Sequence, residues 1–84
     1  MTYRVHIQIV PRKGLLDPQG KAVADALHAL GFNAVRDVRI GRHLVVDTTA
    51  DTQAAAEQQA RTMCEKLLAN PVTEDFALAH VEAL

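Results

Sequence analysis

Four histidines, one cysteine and several arginines are the residues of this 84-residue chain that could carry chemistry. His6, His28, His43 and His80 are the candidate metal ligands or bases, because imidazole changes charge near neutral pH. No two of them have the i, i+4 spacing by which a zinc protease presents two ligands on one helix face. Spacing therefore points to no metal set; a site assembled from separate strands stays open beside the plainer reading of surface histidines. Cys64 is flanked by Glu65 and Lys66. It falls late in a helical stretch, far from the N-terminal dipole that lowers a thiol pKa, so a packed thiol is expected. A lone cysteine excludes an internal disulfide or a multi-thiolate zinc site and fits a reducing compartment.

The chain has no serine, so a serine nucleophile is excluded. Gly14, Gly20, Gly31 and Gly41 never cluster as phosphate-binding loops require. Glu74 and Asp75 are consecutive in an extended pattern and point to opposite faces. No catalytic, cofactor-binding or metal-binding residue is expected. What remains is basic: Arg12 and Lys13 in one loop, and Arg36, Arg39 and Arg42 further on. Surface ion pairing, worth under about 1 kcal/mol each, is one account. A rim that docks a larger protein or meets an anionic ligand is the other, with Arg12, Lys13, Asp17, Arg39 and Arg42 as its candidate residues.

Hydrophobic patterning supplies the elements that position these groups. Tyr3, Val5, Ile7 and Ile9 alternate with Thr2, Arg4, His6 and Gln8, a strand with one buried face. Leu15-Leu16-Asp17-Pro18 reads as a helix entrance, with Asp17 as cap and Pro18 at the first helical position. Val23, Ala26, Leu27 and Leu30 form the helix stripe, and Gly31 closes it. From Asn33 to Thr48 the pattern is strand-like around Gly41-Arg42. A hairpin of strands 34–40 and 43–48 is the preferred reading, against one long strand bent at Gly41. Asp51-Thr52 opens a second helix to about Leu68, whose stripe is Ala56, Ala60, Met63 and Leu67, with Cys64 and Leu68 on its flank. Asn70-Pro71 ends it. The last strand spans about 72–81, with Phe76 and Leu78 on one face and Ala77, Ala79 and Val81 on the other.

The order β-α-β-β-α-β implies an α+β two-layer sandwich: a mostly antiparallel sheet with two helices, which the right-handed crossover rule places on one face. Residues 1–84 read as one domain, with an expected radius of gyration of about 12 Å. The composition, 49% hydrophobic and 23% charged with a net charge of −1, is that of a folded domain. It lacks the basic excess that phosphate backbones select, and Tyr3, Phe32 and Phe76 lie too far apart in sequence to form an obvious stacking platform, so nucleic acid is not an expected partner. No run approaches the ~20 apolar residues of a membrane helix, and the alternating N-terminus is unlike a signal peptide. A soluble, cytoplasmic protein is expected.

Four stretches resemble the PurS family, the small component of bacterial and archaeal phosphoribosylformylglycinamidine synthase. They are residues 16–23 (LDPQGKAV), 37–42 (DVRIGR), 64–72 (CEKLLANPV) and 74–76 (EDF). The likeness runs along the whole chain; the alanine-rich Gln53–Ala60 departs from it. The resemblance implies a non-catalytic subunit of an enzyme complex in purine biosynthesis. It implies a homodimer, or a tetramer, bridging a PurL-type synthetase and a PurQ-type glutaminase and assisting ammonia transfer. ATP and Mg would serve the large subunit, with no cofactor in this chain. Two rivals remain: a small dimeric ligand-binding regulatory module of similar architecture, for which Pro11-Arg12-Lys13-Gly14 is a weak match, and an autonomous enzyme such as an acylphosphatase or a dimeric isomerase.

Overall fold

A central strand organises the protein. β1 spans Thr2–Pro11, and its alternate residues Tyr3, Val5, Ile7 and Ile9 are all buried, the last three completely. A computed structural model describes residues 1–15 and 17–84. β2 (Arg42–Thr49) and β3 (Glu74–Ala83) flank β1 on either side, each antiparallel to it, in the order β2-β1-β3. Val5 is paired with Val46 and Val81, and Ile7 with Leu44 and Leu78, so the apolar rows of three strands coincide on one face.

That face is covered by α2 (Gln53–Met63) and the π-helical turn Cys64–Leu68 that continues it. Thr52 caps α2, its hydroxyl accepting the Ala55 N–H at 3.1 Å. Ala56, Ala60 and Cys64, at i, i+4 and i+8, are fully buried against the sheet. Their small side chains leave the volume to Val5, Ile7 and Ile9, each of which contributes roughly 1.5–3 kcal/mol on burial. The expected stripe through Met63 and Leu67 is corrected: Leu67 is 82% exposed. Past Met63 the chain widens into an i→i+5 turn, closed by the Ala69 N–H on the Cys64 carbonyl at 3.0 Å, which carries Leu67 to the outside.

α1 spans Pro18–Ala29, capped by Asp17 and followed by Gly31 at φ +98°. The helix entrance read at Leu15-Leu16-Asp17-Pro18 includes Leu16, which lies outside the described residues. The placement of α1 corrects the expectation that both helices share the sheet face, since α2 packs on the strands and α1 does not pack comparably on any of them. Two causes combine. Three strands at about 4.8 Å spacing make a face about 10 Å between outer axes, which one helix of about 10 Å diameter covers. The crossover rule, moreover, governs parallel neighbours, whereas β1 and β2 are antiparallel. The result is an arm, residues 12–15 and 17–41, reaching away from the sheet. The radius of gyration is 16.1 Å and the extents are 50 × 26 × 14 Å, well beyond the 12 Å anticipated.

The α+β class, the antiparallel sheet and the order of elements follow the expectation, with one difference. Residues 35–41 return from α1 without ladder hydrogen bonds, so the hairpin around Gly41 does not form. The His28 ring engages the Val35 carbonyl at 2.7 Å, and Asp17 holds the Ile40 N–H at 3.0 Å. This segment is thus tied to α1, and pairing with β1 begins at Arg42. On the other side, His6 pairs with His80 but Ile7 with Leu78, leaving Ala79 as an extra residue in β3. Such a bulge reverses which face later residues occupy. Val81 joins Phe76 and Leu78 over the core, a correction to the strict alternation expected there.

Candidate functional site

Four of the five candidate interface residues meet at the root of the arm. Arg12 donates to the Pro71 carbonyl at 2.7 Å and pairs with Asp75 at 3.2 Å. Arg42 donates to the Leu68 carbonyl at 2.9 Å and to Glu74 at 2.8 and 3.1 Å. Arg39 pairs with Asp37 at 3.6 Å and reaches the Pro11 carbonyl at 3.4 Å. Asp17 accepts the N–H groups of Gly20 and Ile40, each at 3.0 Å. These bonds hold its carboxyl below the usual aspartate range, the Gly20 bond contributing most and Ile40 next. Lys13 is exposed on the adjoining turn.

The arrangement braces a junction. Arg12, just past the central strand β1, and Arg42, at the start of the edge strand β2, tie the sheet to the segment after α2, and Asp17 ties α1 to the returning chain. Gly41 lies so close to β1 that a Cβ there would run into the Ile9 carbonyl oxygen, and a Cβ on Gly20 would run into that of Val38. Between α1 and residues 36–39 lies a cleft of about 340 Å³ whose wall includes Arg12, Lys21, Asp25, His28, Arg36 and Arg39. Lys21 is paired with Asp25 at 2.9 Å. Outside the brace, Leu15, Val23, Leu30, Phe32 and Ile40 are exposed along the arm.

The opposite face of the sheet, the one α2 leaves open, carries a second polar group that strand alternation alone did not assemble. Arg4 and Asp47 form a two-pronged ion pair, Nε to Oδ1 at 2.9 Å and Nη2 to Oδ2 at 3.1 Å. This pair raises the Arg4 pKa and lowers that of Asp47. Beside it, His6 Nδ1 stands 3.4 Å from His43 Nε2, and His6 Nε2 stands 3.2 Å from Glu82 Oε1. The His80 ring centroid is 5.5 Å from that of His6. The Ala79 bulge brings His80 and Glu82 to this face; the one sequence sign of it is the phase break from Phe76 and Leu78 to Val81. Among the described residues, no three His, Cys, Asp or Glu side chains form a group arranged to hold a metal ion. Cys64 is fully buried, and burial pushes its thiol pKa up, the opposite of what a thiolate nucleophile needs.

Fold and surface together define a small α+β protein in which one helix covers a three-stranded antiparallel sheet and a second is held away from it on a braced, apolar arm. The family model described as PurS, phosphoribosylformylglycinamidine (FGAM) synthase, matches residues 4–82. The chain belongs to the PurS family of phosphoribosylformylglycinamidine synthase subunits, as the sequence resemblance implied. It is 42% identical over 74 residues to the PurS subunit of Bacillus subtilis (strain 168), covering 88% of this chain and 87% of that one. Thermus thermophilus PurS matches it with a TM-score of 0.85 and 40% identity, over 100% of this chain and 99% of that one. A chain of the PurLQS structure from Thermotoga maritima matches with a TM-score of 0.80 and 25% identity, again over 100% and 99%. None of the described helices is long and apolar enough to cross a membrane.

Proposed function

We propose that this chain is the small, non-catalytic subunit that joins a PurQ-type glutaminase to a PurL-type synthetase and assists ammonia transfer between them. The observation that carries this reading is the whole-length match to a chain of PurLQS. The arm supports it independently. Leu30 and Phe32 are 74% and 57% exposed, on a segment whose own fold is already braced, and such apolar surface favours association. A second copy is the first occupant of that surface, giving a homodimer, which two such dimers extend to a tetramer. The larger subunits then dock around the arm root, where Arg12, Lys13, Asp17, Arg39 and Arg42 lie.

The physical use of such a junction lies in the chemistry of ammonia. Released into water at neutral pH it takes up a proton and loses the lone pair that must attack. A sealed path between subunits keeps it neutral and raises its effective concentration at the acceptor. In this reading ATP and Mg are used by the large subunit in the cytoplasm, and residues 1–84 act as one domain. Reconstitution tests it: the chain alone has no glutaminase or ligase activity, and adding it to the other two subunits restores glutamine-dependent synthesis. A full glutamine-dependent rate in its absence would overturn the bridging role.

A further inference from the structure

We propose that His6 and His43, on the open face of the sheet, form a two-histidine chelate for a borderline divalent transition-metal ion, with Zn²⁺ and Ni²⁺ as the best fits. The first ground is distance. Two nitrogens bound at about 2.0–2.1 Å to one tetrahedral ion stand about 3.3 Å apart. His6 Nδ1 and His43 Nε2 stand 3.4 Å apart. That is the long end of hydrogen-bond range and equally the separation of two ligands on one tetrahedral ion.

The second ground is the carboxylate behind His6. Glu82 Oε1 lies 3.2 Å from His6 Nε2, so Nε2 carries the proton and donates it. The tautomer this selects leaves Nδ1 unprotonated, its lone pair facing His43 Nε2 and able to accept either that ring's proton or a metal ion in its place. A ligand imidazole whose far nitrogen donates to a carboxylate is the usual support of protein zinc sites, fixing the ring and raising its basicity. All three residues stand on paired strands, which hold a constellation more firmly than loops do. His80 stands opposite His6 in register but is not counted as a ligand, and water completes the coordination of a two-histidine site. The neighbouring Arg4 charge is already neutralised by Asp47. Imidazole donors suit Zn²⁺, Ni²⁺ or Cu²⁺ and do not suit Mg²⁺.

The test is calorimetric titration of the full chain, freed of any histidine tag, with ZnCl₂ and separately with NiCl₂ in a non-chelating buffer. One ion per chain is expected. H43Q, at an exposed position, should weaken binding at least tenfold, and E82Q by about 10- to 100-fold as loss of a supporting partner does. H28Q, on the arm, should leave it unchanged, and MgCl₂ should give no heat of binding. Circular dichroism confirms that each variant is folded; should H6Q fail to fold, H43Q and E82Q still decide. Affinity equal in wild type and H43Q, loss of binding in H28Q, or no saturable binding in the wild type would each overturn the site.

Discussion

One side chain, Asp17, holds both the start of α1 and the end of the returning segment: Oδ1 accepts the Gly20 N–H and Oδ2 the Ile40 N–H, each at 3.0 Å. The arm has little sheet to lean on, so this double acceptor closes its outgoing and returning segments on each other. Gly20 completes the closure, since the Cβ it lacks would meet the Val38 carbonyl oxygen.

Asp17→Ala should therefore loosen the arm while leaving the sheet intact. Hydrogen exchange at Gly20 and Ile40 should accelerate, with exchange in β1 unchanged. Asp17→Asn keeps one oxygen to accept and loses the second, so Gly20 should be protected in it and Ile40 not. The dependence on pH has a definite sign. The folded Asp17 pKa lies below its unfolded value, so its contribution is present above the ordinary aspartate range and is lost as pH falls through the lower, folded value. Equal acid sensitivity in wild type and Asp17→Asn would refute this.

Gly41 should not tolerate alanine. A Cβ there meets the Ile9 carbonyl oxygen and lies 2.9 Å from the Val10 Cα, both backbone atoms that no rotamer change moves aside. Overpacking of this kind costs about 1–3 kcal/mol. It falls where β2 begins to pair with β1, so the loss should appear in denaturant unfolding together with exposure of the Arg42 end of the strand. A Gly41→Ala midpoint equal to wild type would show that the junction yields.

Ile7→Ala should bring the protein close to unfolding. Ile7 is fully buried between Leu44 and Leu78 under Cys64 and Ala60, and such truncations cost about 2–5 kcal/mol. A core of this size supplies only ~3–5 kcal/mol in total. At roughly 4–8 °C per kcal/mol, thermal unfolding should shift down by about 10 °C or more, read by circular dichroism. Gln8→Ala, on the open face, should shift it little.

Local signals were legible in the sequence wherever the chain's own neighbours decide the outcome. The β1 alternation, Asp17 and Pro18 at the α1 entrance, Gly31 at its exit and the Thr52 cap all report on a few adjacent residues. The misread features depend on distant ones. Whether 34–40 joins a sheet turns on Asp17 and His28 claiming Ile40 and Val35, and whether α1 meets the sheet turns on α2 having filled the face. A cross-strand histidine set stays open in the sequence because its assembly depends on distant pairing: His6 meets His43 through the β1–β2 register, and the Ala79 bulge, marked only by the phase break before Val81, turns His80 and Glu82 to the same face. At the arm root the basic residues were found from their types and sequence positions, but their role as braces became visible only with the carbonyls of Pro11, Leu68 and Pro71 beside them.

The arm supplies the last test, because its apolar side chains serve no core of this chain. Leu30 and Phe32 are 74% and 57% exposed, so replacing both by glutamate removes little buried surface and should leave thermal unfolding of the isolated fold nearly unchanged. If a second copy covers them, Leu30→Glu/Phe32→Glu places two charges per chain in an apolar contact, where an unpaired charge is strongly unfavourable. Sedimentation equilibrium should then move from dimer toward monomer. In the reconstituted enzyme, glutamine-dependent synthesis should fall, while synthesis from added ammonia, which needs no sealed path, should be retained. An unchanged dimer mass would place the contact elsewhere. A parallel loss of the ammonia-dependent rate would tie the arm to the synthetase reaction itself and not to transfer.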